Sequence, residues 1–186
     1  MPPAKTPAIF LDRDGVLNRT AIVNGIPHPP DSVNDLELLA GVTEAVAQLT
    51  QLDIPLIVVT NQPDVARGTQ TREAVDAINS ALRAKLPQLT AFFCCFHDTP
   101  DNCACRKPKP GLLTKAATAY NIDLPRSFIV GDRWSDIVAG QAAGCRSILI
   151  DLPYSKAEKC DPDFRAADLA EAARIIVKEL GQERNE

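Results

Sequence analysis

The chain of 186 residues fits one ordinary domain and is long enough to bury a real core. Its hydrophobic share of 45% is ordinary for a globular protein, and no apolar run reaches the length of a membrane span. A formal net charge of −4 lacks the basic excess that nucleic acid or an anionic membrane demands, so a small-molecule partner is expected and neither of those.

Met1-Pro2-Pro3-Ala4-Lys5 carries no long apolar core of a secretory signal, so a cytoplasmic location is expected, and with it a monomer. The apolar run 8–11 then reads as a buried strand ending on Asp12-Arg13-Asp14-Gly15. Two carboxylates at i and i+2 just past a strand end can be aimed into one crevice, and Gly15 lets the backbone turn sharply. Like charges held that close repel, so a bound cation or a raised pKa is expected. The same residues are also common turn formers. Residues 19–36 are a long connection rich in turn formers, read either as a substrate-facing loop or as a surface excursion. Val42, Ala45, Val46, Leu49 and Leu52 form a helical stripe, and the strand at 55–60 ends in Thr60-Asn61-Gln62.

A second stripe, Val75, Ile78, Leu82 and Leu86, precedes a strand at 91–96 that leads through a Cys/His-rich segment to Arg106-Lys107-Pro108. Leu112, Ala116 and Tyr120 make a third, and the strand at 127–130 runs into Gly131-Asp132-Arg133. Residues 136–143 suit a short helix ended by Gly144. A strand at 147–150 and an amphipathic helix on Leu169, Ala173, Ile176 and Leu180 follow, with a polar tail after Gly181 that is expected to fray. Alternating strand and helix predicts an α/β class: a doubly wound parallel sheet covered on both faces. Ligands in such sheets bind beyond the carboxyl ends of the strands. Four of the predicted strands deliver carboxylates, a hydroxyl-amide set and a lysine to that edge.

Six cysteines are present; four lie between positions 94 and 105, while Cys145 and Cys160 stand alone and read as ordinary small residues. In a reducing compartment such a cluster points to metal before disulfides. Cys95-x-His97 and Cys103-x-Cys105 each place two donors on one face of an extended chain. Three thiolates and one imidazole fit a closed, tetrahedral, structural Zn2+ site that pins the loop presenting Arg106 and Lys107. Cys94 would face the other way.

Asp12-x-Asp14-Gly15, Thr60-Asn61-Gln62, Lys107 and Gly131-Asp132-x-x-x-Asp136 resemble, in order and over nearly the whole chain, the four motifs of the haloacid dehalogenase superfamily of phosphotransferases. The resemblance implies a Rossmann-like fold in which Asp12 attacks phosphorus to form an aspartyl-phosphate. It casts Asp14 as the acid that protonates the leaving alkoxide and the base that then activates water. Mg2+ would sit on Asp12, the backbone carbonyl of Asp14, and Asp132, with Asp136 in support. Thr60 and Lys107 would hold the phosphoryl oxygens. The chemistry suits the residue types, because phosphoryl transfer is mostly positioning and charge stabilisation, and Mg2+ prefers hard oxygen ligands.

Within the superfamily, the zinc loop with Cys-x-Cys-Arg-Lys-Pro is similar to that of the D-glycero-D-manno-heptose-1,7-bisphosphate 7-phosphatases, with the histidinol-phosphate phosphatases as relatives. That likeness makes Asn61, Gln62, Arg106 and Arg133 expected substrate contacts, two of them cations suited to a second phosphate. Pro63-Asp64 stands where Ser-Gly is usual, and Trp134 follows Arg133. Too few residues separate Asp14 from Thr60, or Thr60 from Lys107, for a separate cap domain. A phospho-accepting signalling domain uses a similar acidic cluster, Thr and Lys. Asp14, two residues after the nucleophile, favours turnover over a lasting phosphoaspartate.

Overall fold

The computed structural model describes residues 4–155 and 159–183. Six parallel strands form one sheet in the order β5-β4-β1-β6-β7-β8, comprising β1 (Ile9–Leu11), β4 (Leu56–Asn61), β5 (Ala91–Cys95), β6 (Phe128–Gly131), β7 (Arg146–Ile150) and β8 (Phe164–Ala166). Helices α1 (Val42–Thr50), α3 (Arg72–Lys85), α4 (Gly111–Tyr120), α5 (Trp134–Ala143) and α6 (Leu169–Glu183) cover it, and a short α2 spans Asp64–Arg67. A separate antiparallel hairpin, β2 (Ala21–Val23) with β3 (Ile26–His28), follows the first strand.

The strands are apolar throughout because both faces of the sheet are buried. Along β4, Leu56 and Val58 pack into the layer that includes α1 and α6, while Ile57 and Val59 face the layer of α4 and α5. Each such side chain contributes about 1.5–3 kcal/mol when fully withdrawn from water. This is the predicted doubly wound α/β architecture.

Chain order determines where the cleft lies. From β1 the chain moves outward through β4 to β5, then crosses back to β6 on the other side of β1 and continues to β7 and β8. Strands β1 and β6 are neighbours, with Leu11 opposite Val130 in register, and the loops leaving them diverge. A crevice therefore opens at their carboxyl ends, where Asp12 and Asp132 are the next residues.

The hairpin, α2 and β8 were not anticipated. The first lies in the stretch read as loop, although Asn24-Gly25 is a tight-turn pair, and both residues adopt positive φ (51° and 78°) as a two-residue hairpin turn requires. Helix α2 and β8 are four and three residues long, too short for periodicity to register. Gly144 caps α5 in the left-handed conformation, as expected. Of the polar tail, helix α6 takes up residues to Glu183, and the rest lies outside the described residues. No helix among the described residues is long and apolar enough to cross a membrane.

Candidate active site

A cavity of about 630 Å³ opens over the carboxyl ends of the strands. Its floor carries Asp12, Thr60, Lys107, Asp132 and Asp136, one or more from each of four strand ends. The turn after β1 is held by Gly15 N donating to Asn18 O at 2.8 Å and by Asn18 Nδ2 donating to Asp14 Oδ1 at 2.9 Å. Gly15 has φ +86°, and a Cβ there would lie 2.3 Å from Asp132 Oδ2, so no other residue allows the two loops to close together. Gly131 is constrained by space instead: a Cβ would strike Asp136 at 2.2 Å.

Lys107 crosses the floor from the Cys/His loop. Its Nζ donates to Asp12 Oδ1 and to Val59 O, each at 2.8 Å, and to Asp136 Oδ1 at 2.5 Å, so all three ammonium hydrogens have protein acceptors. Asn61 braces the backbone behind it, with Nδ2 donating to Lys107 O at 3.0 Å and Oδ1 accepting from Lys107 N at 3.1 Å. Asp136 has two duties at once. While Oδ1 takes the lysine, Oδ2 accepts Arg133 N at 3.1 Å and caps α5. Tyr154 Oη donates to Asp132 Oδ2 at 2.5 Å, and Asp132 Oδ1 is buried with no partner.

The electrostatics of this floor follow from three carboxylates facing one ammonium in a dry site. Burial pushes the Asp12 carboxyl up to about 7; Lys107 pulls it down, and Asp136 and Asp14 push it up again. Asp132 is likewise driven well above the carboxylate range by burial, then by Asp12 and Asp136. Burial disfavours the charged Lys107, but Asp12 and Asp136 outweigh it and hold its pKa above the ordinary lysine value. One oxygen each from Asp12, Asp132 and Asp136 lie within 4.8 Å of one another, a set that could hold a cation. The donors are hard oxygens and one of them, Asp132 Oδ1, is an orphan, so a small divalent ion fits both by chemistry and by the unmet need.

Asp14 lines the same cavity. Its carboxylate is gripped by the Arg13 fork, through Nε at 3.1 and 3.2 Å and Nη2 at 2.9 Å, and by Gln62 Nε2 at 2.8 Å. Gln62, expected among the substrate contacts, is 1% exposed and lies behind the cavity, where the same Nε2 also donates to Thr60 Oγ1 at 2.8 Å. Arg106 and Arg133 both line the cavity rim. Arg106 Nη1 donates to His97 O at 3.2 Å, while the Arg133 guanidinium stands 5.9 Å from the centre of the Tyr154 ring.

The Cys95, His97, Cys103 and Cys105 donors form the second cluster that could hold a metal. Cys95 Sγ lies 3.6 Å from Cys103 Sγ and 3.0 Å from Cys105 Sγ; Cys103 and Cys105 are 3.5 Å apart. His97 Nδ1 sits 3.6 Å from Cys95 Sγ and 3.4 Å from Cys105 Sγ. Arg106 N donates to Cys103 Sγ at 3.3 Å, tying the cluster to the residue before Lys107. Cys94 does point away and touches Asn79 instead.

The rim is supplied by loops that the sequence places around an uncapped site, at 19–36, 64–69 and 98–102, through side chains not singled out there. Ile26, Pro27 and His28 of the hairpin line the cavity, and Ile22, Val23 and Ile26 are more than half exposed. Arg67 of α2 makes a bidentate pair with Asp98 at 2.7 and 2.8 Å across the cleft mouth. Tyr154 had no sequence signal. Arg13 did, as a charged residue inside the first motif.

Known proteins resemble this chain in sequence and in fold. A family model described as HAD-hydrolase-like matches residues 104–177. The D-glycero-beta-D-manno-heptose-1,7-bisphosphate 7-phosphatase of Bordetella bronchiseptica is 37% identical over 146 residues, covering 76% of this chain and 79% of that protein. Its counterpart from Pasteurella multocida is 32% identical over 182 residues, covering 91% and 96%. In structure, the fold is similar to D,D-heptose 1,7-bisphosphate phosphatase from B. bronchiseptica complexed with magnesium and phosphate, with a TM-score of 0.83 at 33% identity over 94% of this chain and 99% of that one.

Proposed function

The chain belongs to the haloacid-dehalogenase-like hydrolases and is a phosphatase, and from that premise we propose that it removes the 7-phosphate of D-glycero-D-manno-heptose 1,7-bisphosphate. The observation that carries the mechanism is the pair Asp12 and Asp132 facing each other at the cleft floor, with Asp132 Oδ1 unmet. Asp12, Asp132 and the Asp14 carbonyl would hold Mg2+, which when bound neutralises phosphoryl charge and keeps Asp12 ionised. The complex of the B. bronchiseptica enzyme with magnesium and phosphate supports that choice of ion.

Asp12 then attacks phosphorus through a carboxylate oxygen as the ester P–O bond breaks, and the departing alkoxide takes its proton from Asp14. Water attacks the aspartyl-phosphate next, giving its proton back to Asp14 as the Asp12–phosphorus bond breaks and inorganic phosphate leaves. Lys107 aims Asp12 and Asp136 in the resting state. A phosphoryl oxygen arriving over the floor exchanges with one of its carboxylate bonds. Thr60 lies beside that position. Arg106 and Arg133, on the rim, suit the second phosphate of a bisphosphate.

Zn2+ on Cys95, His97, Cys103 and Cys105 would be structural. Tetrahedral zinc with bonds of about 2.3 Å to sulfur and 2.0 Å to nitrogen implies donor separations of roughly 3.5–3.8 Å, against 3.0–3.6 Å here. With four protein ligands no position remains for substrate, so its role is to hold the segment before Lys107. We read residues 1–186 as one phosphatase domain, acting in the cytoplasm as a monomer on a small phosphorylated metabolite.

The test is phosphate release from the heptose bisphosphate beside histidinol phosphate, with Mg2+ and then with chelator. Turnover of the bisphosphate that stops on chelation is expected. Preference for histidinol phosphate would reassign the substrate and leave the chemistry standing.

A further inference from the structure

Arg13 is completely buried one residue from the nucleophile, and its guanidinium bridges two elements. On one side Nε and Nη2 hold both oxygens of Asp14. On the other, Nη1 donates to Oδ1 of Asn79 at 3.0 Å, across 66 positions of sequence. Asn79 belongs to α3, a helix that contributes no residue to the cavity. Its orientation is determined: a guanidinium only donates, so the amide oxygen must face it, and Nδ2 falls against Cys94 Sγ at 3.3 Å. A nearly buried amide beside the apolar residues Val75, Ile78 and Leu82 is unfavourable unless bonded, and Arg13 supplies that bond.

We infer that Asn79 is a positioning residue for the acid–base carboxylate: through Arg13, helix α3 determines where Asp14 points. A fork anchored only by Asp14 would turn with it. With Nη1 pinned to a packed helix, the plane of the fork is fixed, and the carboxylate it holds is fixed too. Asn18 and Gln62 hold Asp14 from the remaining directions, the latter from the end of β4, and Asn79 adds the link to helix α3. The inference rests on the reading of Asp14 as the group that protonates the leaving oxygen.

The test separates leaving groups. Sugar alkoxide needs a proton as it departs; 4-nitrophenolate does not. Single-turnover phosphoryl transfer is therefore measured on heptose bisphosphate by acid quench and on 4-nitrophenyl phosphate by the nitrophenol burst, for Asn79→Leu, Asn79→Asp and Asp14→Asn. Misplacing a catalytic group by an ångström lowers rates about 10²-fold. Asn79→Leu should lose roughly 10- to 100-fold on the sugar phosphate and less than about threefold on the aryl ester. Asn79→Asp keeps the acceptor for Arg13 and should retain most of the sugar-phosphate rate.

Equal losses on both esters with Asn79→Leu, or no loss on either, would overturn the inference if Asp14→Asn still shows the leaving-group selectivity. Asp14→Asn slowing both esters alike would remove the reading of Asp14 itself, and the inference with it. Thermal unfolding of each variant checks folding. If Asn79→Leu does not fold, the same two esters are compared on Asn79→Ala.

Discussion

The floor and the rim of the cleft are built by different rules. On the floor, Asp12, Lys107, Asp132 and Asp136 are buried and, apart from Asp132 Oδ1, closely partnered: Asp12 and Asp132 directly follow neighbouring strands, Asp136 lies in the first turn of α5, and Lys107 reaches in from the Cys/His loop to join them. The rim consists of short elements between strands: the hairpin with Ile26 59% exposed, α2 with Arg67, the Cys/His-loop residues Asp98 and Arg106, and Trp134 at 39%. Floor geometry follows from sheet topology and cannot shift without disturbing the core. Rim geometry depends on a few local contacts and can vary without touching the chemistry. A phosphatase fold can thus hold one reaction while its substrate changes.

That contrast can be broken most directly at Asp12. Asp12→Asn should lower kcat/KM at least about 10⁴-fold, as loss of a nucleophile does, while thermal unfolding shows an intact fold. Retained turnover would move the nucleophile elsewhere. The Cys/His loop joins floor to rim and should give an intermediate effect. Cys105→Ser, followed by metal analysis, unfolding temperature and activity, is expected to lose zinc, lower the unfolding midpoint and reduce activity roughly 10- to 100-fold through misplacement of Lys107. Full activity without zinc would mean that the Asn61 brace alone is enough.

At the rim, Ile26→Ser should raise KM for the heptose bisphosphate by about 10-fold or less and leave 4-nitrophenyl phosphate unchanged. Equal change on both would carry the hairpin's influence down to the floor. The smallest expected effect is on stability. Asp12 is raised from 3.8 to about 7 by burial, so between those values the folded protein binds more protons than the unfolded chain. Its contribution to stability is complete below the lower value and is lost as pH rises through the upper one. With chelator present, the unfolding midpoint should therefore fall from pH 5 to pH 7.5 by several degrees, as a loss of about 2 kcal/mol produces in a domain of this size. Mg2+ should flatten that slope by favouring the ionised form. A slope of the opposite sign would deny the crowding of carboxylates at the floor.

Much of the floor was legible because its logic is one-dimensional. A strand is recognisable from a run such as Leu56 to Val59, and parallel topology puts every carboxyl end on one edge, so Asp12, Thr60, Lys107 and Asp132 could be brought together before any coordinate was known. The Cys/His spacing was legible for the same local reason. The duties of individual groups were less so. Asn61 and Gln62 follow Thr60 and read as ligand contacts, yet one amide braces Lys107 and the other bridges Thr60 to Asp14. Asn61 commits both ends of its amide to Lys107 and Gln62 commits its Nε2 to Asp14, partners that lie far away in sequence.

Periodicity and motif spacing were enough to determine the class of fold, the edge on which chemistry gathers, and the residue types that gather there, because these depend on burial patterns repeated over a few residues. Only the folded chain decided that Arg13 ties Asp14 to Asn79, that Tyr154 caps Asp132 and leaves its other oxygen unmet, and that the hairpin walls the cleft. Such pairings depend on which distant side chains burial brings within about 3 Å of each other, and no local pattern encodes that distance.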